Sequence, residues 1–333
     1  MKWMMIALIF SHLAYAESFQ KTSKDSCQPL DLRNETLPTI RDQKKVAWCY
    51  AFTAADMLSY TFNLPEMASA ADVAINYNDS DLGLFIRWLN QTFGRKPDQG
   101  EQETFMMPHQ TGFNKIALDR GMRDGYCPER IFPSDSWVKM TREGDKWHES
   151  QTDLRSAMVE IFGLIKNQKN LSAKNLPFYF HFKNVESAED FYTLIKGQTA
   201  SSFYSKLRKV VCQHDRIKFP KRFQTMMYVK DPAVFTSMNK QLNRGRLVGI
   251  DYDSRILSDR TNASVNLAEL HTSSVVGRRW NKTHNECQYL IRDSHGNQCA
   301  RYDTSYECLG GQVWMDESLI YPNLTSLVYI ETK

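Results

Sequence analysis

Helix-forming and strand-forming residues are segregated along this chain, and that order limits its fold more than any other feature. Between Ala47 and Tyr60, the residues Ala47, Ala51, Phe52, Ala54, Ala55, Met57 and Leu58 combine helix formers with a broad apolar face, which predicts a buried helix. Residues 64–125 read as mainly helical. Their apolar stripes fall at Leu84, Phe85, Ile86, Trp88 and Leu89 and at Ile116, Ala117 and Leu118, with Gly121 and Gly125 as stops. Pro128 and Pro133 mark a loop. After about residue 232 strands take over: Arg246 to Tyr252, His271 to Gly277, Gln288 to Ile291, and Val313 onward to Ile330. Helices first and strands later predict an α+β protein. A length of 333 residues with 42% hydrophobic side chains is enough for a real core, which excludes wholesale disorder.

The two ends of the chemistry scale, membrane and redox, are also legible. Met1 and Lys2 give a positive start, Trp3 to Leu13 form a short apolar block, and Ala14-Tyr15-Ala16 is a small-x-small cleavage pattern. Residues 1–16 therefore read as a secretory signal peptide, and a secreted or periplasmic mature chain is expected from Glu17. No later run of eighteen apolar residues occurs, so no stable membrane span is expected. The seven cysteines are Cys27, Cys49, Cys127, Cys212, Cys287, Cys299 and Cys308. Six can form three bridges in an oxidising compartment, with fifteen connectivities open, and Cys299 and Cys308 are close enough to close a small loop. The odd thiol is a candidate nucleophile. No Cys-x-x-Cys pair or His/Cys cluster has zinc spacing, so neither a metal nor a cofactor is expected.

Residues 17–45 are polar and broken by Pro29 and Pro38, an extended lead-in. Residues 166–230 stand apart, with thirteen Lys and Arg against four Asp and Glu. That gives +9 to this segment and leaves −5 for the rest of a chain whose net charge is +4. Leu176 to Phe182 is a strand candidate there, and Ser187 with Asp190 opens a helix toward Val211. The segment reads as a basic insertion with a solvated face; contact with a polyanion is the sharper alternative, while the overall charge gives no reason to expect a nucleic acid. The histidines at 109, 148, 181, 214, 284 and 295 show no ligand spacing. Seven Asn-x-Ser/Thr sites occur, including Asn34, Asn90 and Asn281.

Cys49 falls at the first turn of the expected helix, where the partial positive charge and free N–H groups favour a thiolate and can hold an oxyanion. Gln43, six residues earlier, offers a side-chain amide as a second oxyanion donor. Gln, five residues, Cys, aromatic, Ala, Phe at a helix start resembles the active-site signature of papain-like cysteine peptidases. Tyr50 stands where that family usually has Trp, and Val46-Ala47-Trp48 replaces its Cys-Gly-Ser, so the disulfide next to the nucleophile is missing. Leu270-His271-Thr272-Ser273-Ser274-Val275-Val276-Gly277 resembles the family's His-Ala-x-x-x-Val-Gly strand. His271 lies 222 residues after Cys49, against about 130–150 in the family, and the 65-residue basic segment covers most of the excess. Tyr289-Leu290-Ile291-Arg292-Asp293-Ser294-His295-Gly296 resembles the strand ending in Asn-Ser-Trp-Gly, with Asp293 for Asn and His295 for Trp, a loss of apolar cover. Gly112-Phe113 echoes the family's substrate-wall glycines.

The resemblance implies a papain-like two-domain fold: a helical half, about 40–165, bearing Cys49, packed against a β-sheet or barrel-like half, about 231–333, bearing His271 and Asp293, with the groove between them. It implies a secreted cysteine endopeptidase acting on protein or peptide substrates, as a monomer. Cys49, His271 and Asp293 are its catalytic residues, Gln43 its oxyanion donor and Gly112 a substrate-binding position. The 32 residues between Glu17 and Cys49 are too few for the family's long prosegment, so no large N-terminal processing is expected. The alternatives are a catalytically inactive papain-like peptide binder and a transglutaminase-like Cys-His-Asp enzyme.

Overall fold

Every residue of the first helix from Cys49 to Ser59 is buried, so its polar side chains have to find partners inside the protein. In the computed structural model, which describes residues 19–37, 40–44, 47–78, 112–135, 212 and 215–333, this is α1, Cys49–Thr61. It packs on α2, Ala70–Asn78, and α3, Asn114–Asp124. Gly125 caps α3 as expected, but Gly121 does not stop it. That glycine lies inside the helix, where a Cβ would meet Leu58 Cδ1 at 2.8 Å, so its role is close packing on α1. Two further helices, α4 at Val234–Leu242 and α5 at Glu317–Asn323, pack against the sheet.

Among the described residues the sheet has eight strands: β1 Leu30–Asp31, β2 Phe223–Val229, β3 Val248–Asp253, β4 Leu270–Asn281, β5 Glu286–Arg292, β6 Cys308–Leu309, β7 Gln312–Asp316 and β8 Leu324–Thr332. Their order is β2-β8-β3-β4-β5-β7-β6, with β1 added to β4, and every pairing is antiparallel. The protein is thus α+β, as the order of its elements predicts. Three of the expected strands appear within a few residues of their expected bounds. The stretch from Val313 to Ile330 is not one strand region: β7 and β8 are separated by α5, which contains Pro322. β2 was not anticipated, because it lies at the end of the basic segment and pairs with β8 about a hundred residues away.

Three disulfides form, Cys27–Cys287, Cys127–Cys212 and Cys299–Cys308, and Cys49 is the free thiol. The first ties the lead-in to β5. Among the described residues no helix is long and apolar enough to cross a membrane. The leader at 1–16, the stripe at 84–89, the elements expected between 176 and 211 and most of the basic segment lie outside the described residues.

The polar residues of α1 fix its place. Thr53 Oγ1 donates to Thr272 O on β4 at 3.0 Å. Ser59 Oγ donates to Ala55 O and accepts the Ala68 N–H at 2.9 Å. Asp56 takes Arg41 Nη2 on Oδ1 at 2.8 Å and Arg292 Nε on Oδ2 at 2.9 Å. Arg41 is neutralised further by Glu129 at 3.0 Å and donates to Ala68 O at 2.8 Å. Removing one partner from such a buried set leaves uncompensated charge. Asp56→Ala, which takes one carboxylate from both buried guanidiniums, should cost about 3–5 kcal/mol in urea unfolding; a loss below about 1 kcal/mol would show that the network does not hold the fold.

Candidate active site

Cys49 is the first residue of α1, so its backbone N–H is among those that have no acceptor within the helix. The residue is 4% exposed. Cys49 acts on His271, the second residue of β4, and is among the groups that favour the charged form of its imidazole. The Thr53–Thr272 bond explains the meeting: it locks the residue four after Cys49 to the residue one after His271. Tyr252, opposite His271 in the β3–β4 register, closes one side of the imidazole. Its ring stands edge-on, 5.7 Å between centroids, and its hydroxyl is 2.9 Å from Ser273 Oγ.

The imidazole nitrogen Nε2 donates to Asp293 Oδ1 at 2.6 Å. Asp293 follows the last residue of β5 and is 1% exposed. Burial alone would lower the His271 pKa. The charges of Asp293 and Cys49 and the hydrogen bonds to both outweigh it and raise the value from 6.5 to about 10. Burial likewise works to raise the Asp293 pKa, but the His271 charge and hydrogen bond, then those of His295, hold it well below 3.8.

Gln43 reaches the site by a backbone zipper. Its N–H donates to Ser294 O at 2.8 Å, the Gly296 N–H donates to Arg41 O at 3.1 Å, and Asp42 bridges His295. Gly296 sits at φ 77° with the Asp42 side chain 3.2 Å from where a Cβ would be, so this crossing requires glycine. Gln43 Oε1 accepts from Ser294 Oγ, which fixes the amide's Nε2 as its donor end. Gly112 lies against the Tyr50 ring, one residue past Cys49, and a Cβ there would come within 2.7 Å of it.

The structure therefore brings Gln43, Cys49, His271 and Asp293 together, with Gly112 against the neighbour of Cys49. Sequence reasoning missed the other donors to Asp293: Ser294 N–H at 2.7 Å, Ser273 Oγ at 3.2 Å, Tyr302 OH at 3.2 Å and His295 Nδ1 at 2.7 Å. Ser294 and His295 sit inside the matched motif, but no pattern marks Tyr302. His295 does not merely remove cover. Its ring stacks on His271 with centroids 5.1 Å apart and planes 21° off parallel.

Among the described residues, two groups carry side chains of metal-ligating type, His271–Asp293–His295 and His284–Glu286–Asp316. Both are closed by direct hydrogen bonds, and in the second Asp316 already holds the Arg260 guanidinium at 2.9 Å.

The raised His271 pKa has a defined consequence. Its stabilising contribution is complete below pH 6.5 and is lost as pH rises through about 10. An NMR titration of the His271 ring should show imidazolium throughout neutral pH. In Asp293→Asn, which removes the carboxylate charge, the titration should fall at lower pH; an unchanged titration would mean that Asp293 does not hold the ring's charge.

Searches against family models and among curated proteins find no match. Solved structures do match, and they are papain-like cysteine proteases. The recombinant stem bromelain precursor aligns at TM-score 0.47 and 11% identity, covering 95% of this chain and 76% of that one. The bromelain protease from Ananas comosus in complex with the E64 inhibitor aligns at TM-score 0.45 and 10% identity, over 92% of this chain and 99% of that one. The digestive procathepsin L 3 of Tenebrio molitor larval midgut aligns at TM-score 0.44 and 10% identity, over 93% and 72%.

Proposed function

We propose that this chain is a cysteine peptidase of papain-like type, secreted after removal of residues 1–16. The observation that carries the reading is the chain of contacts from the unpaired Cys49 to His271 and from His271 to Asp293, set at a helix start. A free, buried thiol paired with a charged imidazole has the makings of a nucleophile and a general acid in one site.

In this reading Cys49 Sγ attacks the carbonyl carbon of a peptide bond as thiolate. The carbonyl oxygen becomes an oxyanion held by the Cys49 N–H and the Gln43 amide. His271 gives its proton to the leaving nitrogen, the C–N bond breaks, and the acyl group stays on Cys49 as a thioester. Water, deprotonated by His271, then hydrolyses the thioester and restores the pair. Asp293 keeps the ring oriented and charged. Gly112 keeps the chain segment beside Tyr50 open to an extended peptide. Three disulfides suit an oxidising compartment.

The test uses a fluorogenic peptide and an epoxysuccinyl peptide on the folded chain. Cys49→Ala and His271→Ala should abolish turnover, because no other group replaces the nucleophile or the acid. Gln43→Ala should slow it by about 10²–10³ while labelling at Cys49 persists. Turnover retained in Cys49→Ala, or no labelling of the wild type, rejects the peptidase. Product that carries an added amine in place of water would instead assign the transglutaminase-like chemistry.

A further inference from the structure

Asp293 is one carboxylate divided between two imidazoles. Oδ1 accepts from His271 Nε2, Ser294 N–H and Ser273 Oγ, and Oδ2 accepts from His295 Nδ1 and Tyr302 OH. The two rings are stacked, so His295 cannot change its bond to Asp293 without being felt at His271. Nor can it easily leave. Its backbone is bridged to Asp42, and the residues on either side are hydrogen-bonded to Gln43 and Arg41. Its side chain is 23% exposed, against none for Asp293, so it is also the layer between the carboxylate and solvent.

We propose that His295 is a positioning residue that holds Asp293 by its second oxygen and draws part of the carboxylate's charge away from His271. The proposal rests on the cysteine-peptidase reading. An unshared carboxylate would bind the imidazolium too firmly for it to release a proton to a leaving amine, and a general acid works best when its pKa lies near the working pH. A donor on Oδ2 offsets that by spreading the negative charge.

The other groups around the pair define what the experiment has to separate. His271 is faced by Cys49 from α1, by Asp251 and Tyr252 from β3, and by Asp293. Asp251 is half-buried and bound to Thr272 Oγ1 and Ser326 Oγ, both at 2.6 Å. His295 is bridged through its backbone to Asp42, which pairs with Lys44 at 2.9 Å, and shares Asp293 Oδ2 with the Tyr302 hydroxyl. Burial, foremost, keeps the Tyr252 and Tyr302 phenols neutral, so neither adds charge to the site.

Two substitutions divide the ring from the donor. His295→Phe keeps a ring over His271 and removes the hydrogen bond, with His295→Leu as the substitute if it does not fold. His295→Asn keeps a donor near the place of Nδ1 and removes the ring. The His271 titration is followed by NMR in a Cys49→Ala background, where loss of the thiolate charge brings it to lower pH. Turnover is measured with Cys49 intact. His295→Phe should move the titration upward by about one pH unit, the size of one charge-assisted hydrogen bond. It should lower kcat about three- to ten-fold with KM within about two-fold. His295→Asn should return both close to wild type. In an Asp293→Asn background, where there is no charge to share, His295→Phe should change neither. An unchanged or lowered titration in His295→Phe, or the same effect in the Asp293→Asn background, overturns the proposal. If the wild type shows no Cys49-dependent turnover, the peptidase reading fails, and the titrations still decide whether His295 shares the Asp293 charge.

Discussion

The Asp56 carboxylate, held between Arg41 and Arg292, is the interaction on which the rest of the arrangement depends. Each of its three members is tied to a different site residue. Arg41 lies two residues before Gln43, Asp56 lies two helical turns after Cys49, and Arg292 immediately precedes Asp293. None of these segments has a local reason to meet the others. Bringing two guanidiniums out of water is costly, and only a carboxylate at the right spot compensates for it. The network therefore stabilises one relative placement of lead-in, helix and strand. The Thr53–Thr272 bond sets the register of α1 on β4 in the same way.

Within that frame the site is an alternation of charges, thiol, imidazole, carboxylate, imidazole. Burial opposes the charges of His271 and Asp293, and yet their partners raise the His271 pKa and lower that of Asp293. Those opposite displacements have one cause, since each group is the other's main favourable partner. The surrounding donors, Ser273, Ser294, Tyr302 and His295, leave no Asp293 oxygen without a hydrogen bond. A carboxylate so well satisfied has little reason to rotate or to protonate, which suits a group that must keep a ring in one plane.

Much of this was legible in the sequence, and the physical reasons for the rest are specific. α1 was legible because helix formers and apolar residues coincide from Ala47 to Leu58. β3, β4 and β5 were legible because each is a short apolar run with a clear start or stop. α5 was not, since Pro322 and the strand-like residues around it argue against a helix; the helix is held by Ser318, whose N–H and hydroxyl both donate to Glu286 on β5. β2 was not, because its partner is remote and its own composition follows the basic segment. At the site, Cys49, His271, Asp293 and Gln43 stood out through local motifs. The second role of His295 was invisible, because a sequence shows which residue has changed and not where its ring nitrogen points.

The central claim is that His271 activates the Cys49 thiol. The rate at which iodoacetamide modifies Cys49 in the folded, unreduced protein at pH 6, located by mass spectrometry, tests it most directly. With wild type and His271→Ala compared under the same conditions, the account predicts modification at least about ten-fold faster in the wild type. Equal rates in the two proteins would contradict it.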